Sequence, residues 1–323
     1  MGRFLILVAA CTGITTCAIA QDWPTRPLTM VVAFPAGGSD DILARMLAPR
    51  IAEFLGQQVV VDNVPGGGGT TGGARVARAA PDGYEFILGT SATHALSQVL
   101  LKKPPYNALT DFAPVALLVE QPFVLIARKG LPGDRLQDLV AYARENPKTV
   151  QYASAGEGSG THLVCSLFNA AAGIRASHVA YNGGVPAMRD LVAGHIDYFC
   201  SDVTIAIAPI SRQDVKAIAM LTRTRAPVLP ELASAHEQGL ADFTAWIWFA
   251  LFLPKGVPQP IVAKLHEAST AAIAMPFMQA RLKQIGAEVV LPERRTPEYL
   301  QKFVENEIGK WASALKAASL KPY

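Results

Sequence analysis

Charge is scarce in this sequence. Only 17% of its 323 residues are charged, and 29 Lys plus Arg nearly balance 26 Asp plus Glu, for a formal net charge of +3. Neither sign gathers into a block, so nothing resembles the basic footprint of a nucleic-acid-binding protein. Cysteine is scarcer still, with four residues, too few for a disulfide scaffold. The 26 Gly follow no period, which excludes collagen. Beyond the N-terminus no apolar run approaches the about 18–20 residues of a membrane span. The strongest candidate, AWIWFALFL at 245–253, stops at Pro254.

Catalytic signatures are missing as well. No Gly-Lys-Ser/Thr occurs, so there is no P-loop. The six His form no H-E-x-x-H: His236-Glu237 and His266-Glu267 both lack the second His. No Cys/His group has zinc-ligand spacing, and no metal or cofactor is expected. Gly158-Ser159-Gly160 lacks the G-x-S-x-G spacing. GGGTTG at 67–72 fits G-x-G-x-x-G in letters, but a dinucleotide site wants an acid at the next strand end. That end is Gly89-Thr90-Ser91, so the glycines read as a tight turn where backbone approaches a neighbour or a small ligand.

What is present is apolar. Half the residues are hydrophobic, enough to bury a large core and to exclude global disorder. At about 100–200 residues per domain the length suggests two domains. Arg3, the apolar stretch 4–14 and Ala18-Ile19-Ala20 read as a signal peptide over 1–20, cleaved before Gln21. A buried N-terminal helix and a lipoprotein, through Val8-Ala9-Ala10-Cys11, are the alternatives. Export places Cys165 and Cys200 where they can pair, or remain as two buried thiols.

The mature chain has a βαβ rhythm. Short β-forming runs at 28–34, 58–62, 85–89, 123–127, 150–154, 178–181 and 196–200 each end in a glycine- or hydroxyl-rich loop. A helical pattern follows most of them, which implies a mainly parallel sheet. The rhythm pauses at 114–120, and a further strand is expected at 215–221. Helices are expected at about 258–274, 276–285 and 297–318. In such sheets ligands sit at the carboxyl ends of the strands, where these loops gather. Gly37-Gly38-Ser39 and residues 156–161 place backbone N–H groups and a hydroxyl at helix starts, which attract carboxylate or phosphate. Two such ends facing each other could hold a dicarboxylate. Asp40-Asp41 reads as helix capping rather than a carboxylate pair, because neighbours on a helix do not face each other. Cys165 is expected in the first turn of the helix after the 150–154 strand and Cys200 at the end of the 196–200 strand; in a parallel sheet both lie on the carboxyl-end side, which brings them near each other.

Taken in order, several segments resemble the Bug/TctC family of periplasmic solute-binding proteins, which serve tripartite tricarboxylate transporters. They are WPTRP at 23–27, VAFPAGGSDDILAR at 32–45, VVDNVPGGGG at 60–69, APDGY at 80–84 and GTSATHAL at 89–96. YASAGEGSGTHL at 152–163, HVAYNGGVPAM at 178–188 and VLPEL at 228–232 continue the likeness along the mature chain. The resemblance implies an α/β, type II periplasmic-binding-protein fold, with two α/β lobes joined by two crossing strands around a ligand cleft. The implied lobes are 21–122 with 222–323, and 123–221. It also implies a monomer in the periplasm that captures a small carboxylate or amino-acid-like solute for a membrane transporter. A sensor signalling to a membrane kinase is the alternative, and a hydrolase using Ser159 and His162 a remote one. One ligand loop would offer Phe34, Gly37, Gly38, Ser39 and Asp40. The other would offer Ser154, Gly156, Gly158, Ser159, Thr161 and His162. Ser91, Ala92, Thr93, Tyr181, Ser201 and Asp202 would line the rest. The resemblance also favours a Cys165–Cys200 bridge. Asp40 departs from the family, which often has a hydroxyl or neutral residue there. With Asp202 it could meet a cation such as an ammonium.

Overall fold

A computed structural model of the chain describes residues 23–241 and 243–319. The expected signal peptide, its cleavage site and Cys11 lie outside the described residues. The strand–helix rhythm begins with β1 (Leu28–Val32), α1 (Ser39–Leu55), β2 (Val59–Asn63), α2 (Thr70–Ala77) and β3 (Glu85–Thr90). β1 pairs in parallel with both β2 and β3. Its near-continuous apolar sequence reflects burial on both faces, as parallel strands require. α1 buries Leu43, Leu47, Ile51 and Leu55, a stripe of spacing four. Gly56 ends it at φ 71°, donating its N–H to Ala52 O. A π-turn (Ala92–Leu96) and the short α3 (Ser97–Leu100) follow β3.

The expected pause at 114–120 is instead part of a long strand, β4 (Phe112–Arg128), of 17 residues. Pro114 and Pro122 disguise it. Register shifts beside Pro114 absorb the missing donor. Pro122 stands where β4 changes neighbours: up to that residue it pairs with β9 (Trp246–Pro254), and from Phe123 onward with β7 (Tyr198–Asp202) and β8 (Val215–Met220). β4 therefore belongs to both halves of one ten-stranded sheet. Of the first half, β9 runs antiparallel to both β3 and β4. The apolar run at 245–253 is thus a buried central strand, and no helix among the described residues is long and apolar enough to cross a membrane.

The second half repeats the rhythm with α4 (Leu136–Glu145), β5 (Gln151–Ser154), α5 (Gly160–Ala172), β6 (Ser177–Ala180), α6 (Gly184–Ala193), β7 and α7 (Val203–Ser211). It has its own apolar centre around Val124, Ile126, Leu191, Phe199 and Met220. Cys165 in α5 and Cys200 in β7 form a disulfide with Cα atoms 5.3 Å apart. Cys165 sits in the second turn of the helix.

The segment 222–241 hydrogen-bonds to this second half. Ala235 N–H donates to Met220 O, Gln238 Nε2 to Ile218 O, and Gln238 Oε1 accepts from Leu136 N–H. The resemblance assigned it to the first lobe. Its bonds run to the second, and Ala245 still pairs with Leu221 and Phe123; the chain returns with β9 at Trp246. The remainder, α8 (Gln259–Ala274), α9 (Pro276–Gln284), β10 (Glu288–Val289) and α10 (Pro297–Ala317), belongs with the first half: α8 covers α1 and β4, and β10 pairs with β4.

Candidate ligand-binding site

α1, α5, α6 and α7 start where β1, β5, β6 and β7 end, and their N-termini converge on one cavity of about 60 Å³. The lining includes Gly38, Ser39 and Asp40 of α1, Ser159, Gly160 and Thr161 of α5, Gly183 to Pro186 of α6, and Asp202 and Ile205 of α7. Each terminus brings unpaired N–H groups and the positive end of a helix dipole. Ser159 and Asp202 cap their own helices. Gly38 and Gly183 have no side chain to do so, which leaves the leading N–H groups of α1 and α6 without a side-chain cap.

The first loop is shaped by Asp41. Its Oδ2 accepts Gly37 N–H at 2.9 Å and Arg45 Nε at 2.9 Å, while Asn63 Nδ2 donates to Phe34 O at 3.0 Å. Burial opposes ionisation of Asp41, but the bonds from Arg45 and Gly37 together outweigh it and lower its pKa. Asp40, one residue earlier, lines the cavity at 8% exposure, and its Oδ1 has no partner among the described residues. Burial first, then the charge of Asp202, pushes its pKa up to about 7. Burial also raises Asp202, although Ser39 hydrogen-bonds to its carboxylate. Ser39 starts α1 and Asp202 ends β7, so this links the two halves.

The second loop is closed upon itself. Ser159 Oγ donates to Gly156 O at 2.6 Å and accepts His162 N–H at 3.3 Å. Thr161 Oγ1 accepts Ala155 N–H at 2.8 Å and lies 3.0 Å from Ser159 Oγ. His162 Nδ1 accepts Gly158 N–H, and its ring stacks on His178 at 3.9 Å. Ser154 Oγ lies 2.6 Å from His178 Nε2. Burial lowers the pKa of both imidazoles; the neighbouring His162 adds to this at His178, bringing it to about 4. Ser159 therefore directs its proton to a backbone carbonyl and has no imidazole to take it. The Ser159–His162 hydrolase arrangement is not formed.

Of the residues expected at the site, Phe34, Gly38, Ser39, Asp40, Ala92, Ser159, Thr161 and Asp202 line this cavity. Gly156 and Tyr181 line the adjoining groove with Gly66, Gly67, Gly68 and Gly69, and the Tyr181 hydroxyl donates to Asp190. Gly37, Gly158, Ser154 and His162 hold loop geometry. Ser91 is buried at the head of the π-turn. Thr93 Oγ1 bonds to Thr90 and His94, and Ser201 Oγ donates to Asp202 O. These three residues are not among those lining the cavity. Pro35, Ala36, Ala155 and Gly160 also line it and fall within the two loops expected at 34–41 and 154–162; sequence reading missed Phe123 and Ile247, which come from the crossing strands, and Gly183, Gly184, Val185, Pro186 and Ile205. The Asn182-Gly183-Gly184 turn carried a usable signal. Phe123 and Ile247 carried none, since an apolar strand residue beside a ligand looks like core.

The loops of the two halves meet over the cavity. A Cβ on Gly68 would lie 2.8 Å from Gly158 C, and one on Gly183 would lie 3.1 Å from Pro35 Cγ. This is a closed cleft between two α/β halves.

The family model for the tripartite tricarboxylate transporter family receptor matches residues 43–320. The chain belongs to that family. Among solved structures, MatC from Rhodopseudomonas palustris with bound malate is 38% identical, covers 91% of this chain and 100% of its own, and has a TM-score of 0.88. The periplasmic binding protein BugD is 38% identical, covers 93% and 99%, and has a TM-score of 0.89. An R. palustris protein with adipate is 33% identical, covers 94% and 100%, and also scores 0.89. The family's fold, the type II periplasmic-binding-protein fold expected from the sequence, is the fold of this receptor, a member of a family of periplasmic solute-binding proteins.

Proposed function

We propose that this receptor captures a small carboxylate by closing its two halves over it, and delivers it to the membrane subunits of a tripartite tricarboxylate transporter. The observation that carries the reading is the convergence of four helix N-termini on one closed cavity. Such an arrangement binds an oxyanion through backbone N–H groups, without a basic side chain. The malate and adipate held by related structures are ligands of this class. Export through residues 1–20, a monomeric mature chain from Gln21, and hinge motion where β4 and β9 cross between the halves complete the proposal. The protein binds and releases; it needs no metal or cofactor and performs no reaction.

A thermal-shift screen of the mature protein over mono-, di- and tricarboxylates tests it. A ligand at a hundredfold excess over Kd should stabilise the protein by about 2.7 kcal/mol. Consumption of the bound compound would point to an enzyme instead. Uptake lost on deleting the gene, and restored by the mature protein, would separate transport from sensing.

A further inference from the structure

Among the described residues, Asp40 and Asp202 are the only ionisable ones that line the cavity. Asp40 stands in the first turn of α1 and Asp202 at the end of β7, where it caps α7, so the cavity receives one from each half. Both are more than nine-tenths buried, and Asp40 Oδ1 is buried without a partner among the described residues. A buried carboxyl oxygen left unpaired is costly, and a native site retains one where something arrives to satisfy it. Asp41 Oδ1 is unpartnered too, but Asp41 does not line the cavity, and its Oδ2 is tied to Gly37 and Arg45, where it shapes the loop.

The cavity therefore has two chemical poles. The uncapped N-termini of α1 and α6 favour negative charge. The Asp40–Asp202 pair favours positive charge or a hydrogen-bond donor. The charge of Asp202 already raises the cost of ionising Asp40, so a purely anionic ligand would add a further like charge to an enclosed site. The small cavity leaves little room for water to screen them.

Resting on the carboxylate reading of this cavity, we infer that the ligand also carries an ammonium group, as a small amino acid does, and that Asp40 and Asp202 receive it. The carboxylate lies against the helix N-termini and the ammonium bridges the two halves. Closure then brings the second carboxyl to the cation, which couples recognition to the closed state.

Calorimetry on mature protein, freed of ligand by unfolding and refolding, tests this with pairs that differ only by an amino group: succinate with L-aspartate, glutarate with L-glutamate, propionate with L-alanine. In at least one pair the amino member should bind at least tenfold more tightly, a difference of about 1.4 kcal/mol. Asp40→Asn should abolish that preference while leaving the thermal unfolding transition cooperative. Asp40→Thr is the second variant should the amide disturb packing. Tighter binding of the plain acid, or equal binding within every pair, overturns the inference and leaves the carboxylate receptor intact. Binding by none of the six overturns both.

Discussion

Asp40 and Asp41 occupy one turn of α1 and meet different surroundings. Asp41 is held ionised by Arg45 and the Gly37 N–H, whereas burial and Asp202 raise Asp40 from 3.8 to about 7. The unfolded chain ionises Asp40 near its ordinary value, so the folded state binds the proton more tightly. Its contribution to stability is best below pH 4, falls as pH rises from about 4 to about 7, and is level above that. Asp202 is shifted in the same direction. In ligand-free protein Asp40→Asn should therefore raise Tm by about 2–6 °C at pH 8 and by very little at pH 4. Equal gains at both pH values, measured by calorimetric melts, would contradict the burial argument. Ser39 offers a second measurement. It stands beside Asp202 of the other half and lowers that carboxyl's pKa. Ser39→Ala should weaken ligand binding by about 1 kcal/mol, or roughly fivefold. Ser159→Ala should instead reduce stability by about 1 kcal/mol, as loss of an N-cap does, because its hydroxyl is occupied within the loop. This division was only half legible in the sequence. Glycine and hydroxyl residues at strand ends marked both loops, but which hydroxyl faces the ligand and which closes its own turn depends on side-chain direction. Adjacent aspartates read alike until the backbone turns them apart.

At the scale of elements, the parallel units were legible because each combines a doubly buried strand, a glycine-rich end and an amphipathic helix. β4 was not. Its two prolines read as breaks, whereas Pro114 sits beside a register shift and Pro122 at the change of partners. Segment 222–241 was misplaced for a related reason: without regular periodicity, nothing in its sequence says which half its backbone groups will join. The disulfide ties α5 to β7, and thus the second loop to the strand that ends in Asp202. It closes a span of 35 positions. Chain entropy for a loop of that size gives about 3–4 kcal/mol. Cys165→Ala together with Cys200→Ala should lower Tm by about 6–12 °C. The same loss should follow reduction of the native protein under dithiothreitol. Thiol titration of the unfolded, unreduced protein gives an independent reading, and two free thiols per chain would mean no bridge forms.

For the whole molecule, the decisive property is that two halves share β4 and one continuous apolar cluster, and close over the cavity through their loops. Thr204 Oγ1 also donates to Ile285 O, and Gly286 lies against Val203 and Val228. The close approach of the loops themselves is permitted by glycine. Gly68 has φ +64° and faces the 157–158 backbone so closely that a Cβ would lie 2.8 Å from Gly158 C and 2.9 Å from Glu157 O. Backbone cannot yield as a flexible side-chain tip can, so any side chain at this position holds the halves apart. Gly68→Ala should weaken the binding of an identified ligand at least tenfold. It should also leave the radius of gyration in small-angle X-ray scattering unchanged on adding ligand, while the unaltered protein contracts. The left-handed backbone alone makes alanine unfavourable by about 1 kcal/mol, which would reduce stability without any effect on closure. Gly56→Ala separates the two effects. Gly56 has φ +71° at the far end of α1, and a Cβ there meets nothing within 4 Å. It carries the same backbone penalty and touches no part of the cleft. Equal loss of affinity in both variants would assign the effect to general destabilisation. Loss in Gly68→Ala alone would assign it to contact between the two loops, and would make closure, rather than the contacts of either half, the step that retains the ligand.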